Sequence, residues 1–131
     1  MWKKILLVLG IIVLAGVVYF YIKMRSLKND ITALTVSEVP LSEVSDGTWE
    51  GTCDLKIVSA RVAVTVVGGA ITEIKILEHR HGPDPKYSGA GVANKIIAEQ
   101  KILVDAVSGA TGSSKVVKKA VEIALTQGLK K

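Results

Sequence analysis

Two kinds of hydrophobic pattern divide this chain. Residues 5–22 read ILLVLGIIVLAGVVYFYI, 18 consecutive positions without a charge. At the rise of an α-helix such a run is about 27 Å long, near the hydrocarbon thickness of a bilayer. Apolar on every side, it lacks the polar face of an ordinary surface helix. Trp2 precedes the run and Tyr19, Phe20 and Tyr21 close it, where the rings of an interfacial belt would lie. A cleaved signal peptide shares the basic-then-apolar order. Here no small-x-small cleavage site follows, and bulky Tyr19, Phe20 and Tyr21 occupy its place. Residues 1–28 are therefore expected to be a retained single-pass transmembrane anchor. Lys3 and Lys4 on one side nearly balance Lys23, Arg25 and Lys28 on the other, so charge does not orient it.

Beyond the anchor the periods shorten. Residues 29–46 are polar and mixed, with Pro40 among them, and predict a linker. From residue 47 to 131 the pattern is that of one small domain. Val62, Val64 and Val66 alternate with Arg61, Ala63 and Thr65, the period-two signature of a half-buried strand. Gly68 and Gly69 follow as a hairpin turn, and Thr72, Ile74 and Ile76 alternate along the returning strand. Residues 48–58 supply a third antiparallel strand, with Gly47 and Gly51 suggesting a bend or bulge. After a Gly- and Pro-rich loop at 80–91, residues 90–100 carry a helical apolar face (Val92, Ala93, Ile96, Ile97). A short strand is predicted at 102–104, a turn at 105–113, and a last helix lined by Val117, Ala120, Val121, Ala124 and Leu125. The predicted class is α+β: an N-terminal transmembrane helix, then antiparallel strands packed with two helices.

Charge narrows the function classes. The formal net charge is +5, yet residues 1–28 hold five basic groups and no acid, leaving 12 basic and 12 acidic groups in the rest. The folded part is neutral and shows no basic surplus for nucleic acid, so a nucleic-acid partner is not expected. A single cysteine, Cys53, excludes an intrachain disulfide and a multi-cysteine metal site. His79 and His81 would need a further ligand such as Asp84 to hold a metal, and read instead as solvated loop histidines. No metal site is predicted.

Familiar nucleotide motifs are incomplete: Gly89 and Gly91 lack the third glycine of a dinucleotide turn, and residues 109–115 lack a phosphate-loop ending. No nucleophile elbow is present. One segment stands apart, Asp105 through Lys115. Gly109 and Gly112 permit unusual dihedrals, and Thr111 offers a hydroxyl just before a helix N-terminus, where unpaired N–H groups and the dipole favour a phosphate. Lys115 and Lys118 follow within two turns. On local physics alone the plainer reading prevails, in which Ser113 or Ser114 caps the helix and Gly109 makes a turn.

Asp105, Ser108, Gly109, Ala110 and Thr111 match, position by position, the flavinylation motif Asp-x-x-[Ser/Thr]-Gly-Ala-[Ser/Thr] of the FMN-binding domain family. The likeness extends from residue 47 to 125, through the Gly-Gly hairpin, ITEIKILEH (71–79), IIAEQ (96–100) and SSKVVKKAVEIAL (113–125). The chain resembles the small anchored members rather than the flavin subunits of Rnf-type and sodium-pumping quinone reductase complexes. The resemblance implies FMN as cofactor, joined by a phosphoester to Thr111 by a separate flavin transferase that uses FAD. It implies that Asp105, Ser108, Gly109, Ala110, Gly112, Ser113 and Ser114 shape the cofactor-binding turn. The loop RHGPDPKYSGAG (80–91) departs from the compact Gly-rich loop of many small members, and Tyr87 within it is a candidate to stack on the flavin ring.

The function implied is a flavoprotein electron carrier on the outer side of the cell membrane, exchanging electrons with unnamed redox partners. The flavin would carry the chemistry, and no catalytic residue is singled out. Two other readings stay open: a non-covalent FMN-binding or sensing module, and a structural or interaction domain without flavin.

Overall fold

A computed structural model of the protein describes residues 1–55, 58–80 and 88–130, with the side chains of residues 27 and 30–32 set aside. His81, Asp84 and Tyr87, and with them the proposed stacking, lie outside the described residues.

The apolar run lies inside one long helix, α1 (Trp2–Ala33). Within its first 25 residues, Trp2–Ser26, an 18-residue window reaches a mean hydropathy of 2.8, and none of that window is buried against protein. Among the described residues this is the one helix long and apolar enough to cross a membrane. Lys23 sits over the Tyr19 ring at 5.6 Å, one turn away at the run's far end.

The domain is built on a three-stranded antiparallel sheet ordered β1 (Gly47–Asp54), β2 (Ser59–Val67) and β3 (Ala70–Arg80). Central β2 obeys its alternation: Ala60, Val62, Val64 and Val66 are buried. The β2–β3 hairpin turns on Gly68 and Gly69 at φ +61° and +79°, a left-handed pair suited to a tight turn. β3 does not keep the simple period. Its register against β2 shifts twice, leaving Thr72 and Leu77 as extra residues. Each bulge reverses the parity of the residues beyond it. Ile71, Ile74, Ile76 and His79 consequently share the inner face, opposite Val66, Val64, Val62 and Ala60. Unlike β3, β1 pairs with β2 in unbroken register, so Gly51 makes no bulge. It is a close approach instead: a Cβ there would fall 2.0 Å from the Ala120 carbonyl oxygen.

The helix at that approach is α3 (Thr111–Gln127), which lies over β1 and β2 and buries Val116, Val117, Ala120, Val121, Ala124 and Leu125. α2 (Val92–Glu99) packs on β3 and α3 through Val92, Ala93 and Ile96. Gln100 ends it in the left-handed conformation, and its side-chain amide bonds both the N–H (2.8 Å) and the C=O (2.9 Å) of Ile71 beside the first bulge. The other face of the sheet is polar, with Thr48 bonded to Thr65 and Arg61 near Glu50.

One further expectation needs correction. Residues 102–104 join no sheet among the described residues. Their donors turn elsewhere: the Glu38 carboxylate accepts the N–H groups of Ile102 (3.0 Å) and Leu103 (2.6 Å). The polar stretch before the sheet also does more than connect. Val39 and Val44 are buried, and residues 43–45 pair with 128–130 through Ser45 N–H to Gly128 O (2.7 Å) and Lys130 N–H to Glu43 O (2.8 Å).

Candidate functional site

The segment singled out in the sequence forms the entry to α3. Gly109 takes φ +78°, open to a residue without a Cβ, and swings the chain into the helix. Ala110, buried, stands at the cap position with no side-chain bond, and its carbonyl accepts the first helical N–H, from Ser114 (2.8 Å). The helix starts at Thr111, earlier than the predicted turn at 105–113 allowed. Ser113 and Ser114 are therefore not caps. They lie inside the first turn, buried at 7% and 0% exposure, and Ser114 Oγ accepts the Val107 N–H at 2.9 Å. Together with the Ala110 N–H to Val107 O bond (2.9 Å), this closes residues 107–114 into a compact knot.

That arrangement sorts the hydroxyls. Ser108 and Thr111 are exposed, whereas Ser113 and Ser114 point into the domain. Burial of those serines follows from Gly89. A Cβ at Gly89 would come within 2.4 Å of Ser113 C and Ser114 N, so the loop backbone rests directly on the first turn of α3. His79 holds it there. Its Nε2 accepts the Gly89 N–H (2.9 Å), which leaves Nδ1 as the donor to Ser59 O (2.9 Å). His79 is thus half-buried and bonded through both ring nitrogens, not a solvated loop histidine.

Lysines fix the approach to the turn. Lys118 Nζ donates to Val104 O (3.1 Å), and Lys95 Nζ to Asp105 O (3.2 Å) and Ala106 O (3.3 Å). Three successive carbonyls, which would otherwise pair in a sheet, end on two ammonium groups. Asp105 itself is exposed, and among the described residues its carboxylate makes no hydrogen bond.

Thr111 opens onto a cleft of about 340 Å³, lined also by Ala106, Lys115 and Lys118 and by Leu34, Thr35, Val36 and Leu103. The volume lies at the low end of small-molecule sites, room for a ring system rather than a whole dinucleotide. Lys115 and Lys118 stand one and two turns from Thr111 on one helix face. The donor set fits a flavin mononucleotide: cations and a helix N-terminus for phosphate, and an apolar side for the ring. Of the residues proposed from the sequence, Thr111 lines the cleft. Asp105, Ser108, Gly109, Ala110 and Gly112 frame the turn, and Ser113 and Ser114 support it from beneath. The parts played by His79, Lys95 and Leu103 were not read from the sequence, because each depends on a contact distant along the chain.

The chain thus has an α+β domain with a small cleft at the start of its last helix. The FMN-binding domain family model matches residues 58–126, more than half of the chain, from β2 almost to the end of α3. The protein belongs to the FMN-binding domain family, and FMN is its cofactor. No curated protein and no solved structure matches the chain.

Proposed function

We propose that this protein is a membrane-anchored electron carrier whose FMN is joined to Thr111 Oγ through a phosphoester. The observation that carries the reading is the position of that hydroxyl. It is exposed at the first residue of α3 and opens onto the cleft beside Lys115 and Lys118, while the neighbouring Ser113 and Ser114 are turned inward. Attachment balances with FAD as donor. A flavin transferase directs Thr111 Oγ onto the FMN phosphorus of FAD, forming one P–O bond and breaking the pyrophosphate bond. AMP departs, and the hydroxyl proton goes to a base or to water. The diester left behind carries one negative charge, offset by the two lysines and the free N–H groups of the first turn.

Asp105, exposed and with a carboxylate that makes no hydrogen bond among the described residues, serves the transferase as a recognition contact. The flavin supplies electron uptake and release, and the protein holds it and tunes it. α1 spans the cell membrane once, with the domain on the extracytoplasmic side. There a covalent link keeps a cofactor that no cellular pool could replace.

Production of the chain with an active transferase, followed by a denaturing gel, tests the reading. Flavin fluorescence should travel with the polypeptide. Flavin released on denaturation would indicate a non-covalent FMN module, and a chain that never holds flavin would indicate a structural domain. Protease should reach the domain in intact, wall-stripped cells; protection would contradict the orientation.

A further inference from the structure

The cleft onto which Thr111 opens is lined in part by residues that the FMN-binding domain match leaves out. We propose that Leu34, Thr35 and Val36, the first residues after α1, form the apolar wall against which the flavin ring rests. The proposal takes the covalent FMN on Thr111 as given and assigns the apolar lining of that same site.

Three observations support it. First, the lining residues differ in chemistry. Thr111, Lys115 and Lys118 share one face of α3, whereas Leu34, Val36 and Leu103 supply the large apolar side chains of the lining. Leu103 is 49% exposed, a large apolar side chain left open inside a cleft. An aromatic ring system laid there would cover it, while its phosphate end stays among the cations. Second, the wall is held in place before any ligand arrives. Two residues beyond Val36, the Glu38 carboxylate grips the N–H groups of Ile102 and Leu103, and Val39 is buried in the core. Glu38 therefore ties the segment that follows Val36 to the Ile102–Leu103 backbone, and Leu34 and Val36 pack against the core. Third, the wall continues α1 directly. Residues 23–33 add about 16 Å of helix beyond the apolar run.

The test uses the full-length chain in detergent, loaded by the transferase, with two readouts: intact mass for the covalent bond, and iodide quenching of flavin fluorescence for coverage of the ring. Replacing Leu34 and Val36 together with serine should leave the FMN mass increment on Thr111 in place. Iodide quenching should rise above the wild-type value as the apolar cover is lost. Thr35→Trp, at an exposed position that tolerates bulk, should put an indole against the ring and quench its fluorescence. Thr48→Trp on the outer face of the sheet should not. Full covalent loading with unchanged iodide quenching, or equal fluorescence in the Thr35→Trp and Thr48→Trp chains, overturns the wall and leaves the attachment standing. If the serine variant does not fold, the tryptophan pair decides alone. A wild-type chain without bound flavin overturns the attachment, and the wall with it.

Discussion

Replacing Gly89 with alanine perturbs the contact that sets the first turn of α3. The new Cβ would lie 2.4 Å from Ser113 C and Ser114 N and 2.5 Å from the Ser113 carbonyl oxygen. Non-bonded carbons settle at roughly 3.5–4.0 Å, so the loop and the helix must part by about 1 Å. Every opposing atom is backbone, and none can swing aside as a flexible side chain would. Overpacking of this kind costs about 1–3 kcal/mol. Separation also strains the 2.9 Å bond from Gly89 N–H to His79 Nε2, whose loss adds about 1 kcal/mol. The sum is roughly 2–4 kcal/mol. In a domain of under 100 residues each kcal/mol lowers Tm by about 4–8 °C, so a drop of at least about 8 °C is expected. Thermal unfolding should be followed in the near-ultraviolet circular dichroism of Trp49, because α1 dominates the far-ultraviolet signal in detergent. Flavin loading on Thr111 should fall in the same variant, since the displaced turn carries the proposed acceptor hydroxyl. A Tm equal to that of the wild type would refute the packing argument.

Three further outcomes are expected. Valine at both Gly68 and Gly69 forces branched side chains to φ near +61° and +79°, and should destabilise the hairpin by roughly 2–4 kcal/mol in a denaturant titration. Glu38→Ala removes two bonds to backbone N–H groups and should cost about 1–2 kcal/mol, with hydrogen exchange at the Leu103 amide rising most. Burial pushes the Cys53 thiol up, with Asp54 adding to the shift and Lys119 partly opposing it. At neutral pH it stays protonated and enclosed, so a thiol reagent should label the chain only after unfolding.

The parts of the fold legible in the sequence are those set by local pattern. β2 carries its period in three alternating valines, and Gly68 with Gly69 marks the hairpin because only glycine takes two left-handed angles in succession without strain. The features that escaped depend on partners far along the chain. Ile102 and Val104 are buried with Leu103 exposed between them, a strand-like alternation. A strand needs a neighbour, though, and here Glu38 from a distant segment takes the backbone donors instead. The first turn of α3 reads as loop because Gly112, Ser113 and Ser114 are poor helix formers. The backbone of Gly89 rests on that of Ser113 and Ser114, a contact no local pattern records. His79 looked solvated because the Leu77 bulge, which turns it inward, leaves no mark in the alternation. At the site, the motif pointed to Thr111 and to the helix end, but not to the apolar lining. The polar residues of 34–46 conceal the two valines that enter the core.

The central claim is that Thr111 alone carries the flavin, and intact mass of chains produced with the transferase tests it most directly. The wild-type chain should gain one FMN joined as a phosphoester, mapped to the peptide holding Thr111. Thr111→Ala should fold and gain nothing, although Ser108 is exposed nearby; Thr111→Ser, which keeps a hydroxyl at the same place, should retain attachment. A full FMN increment on Thr111→Ala would contradict the account.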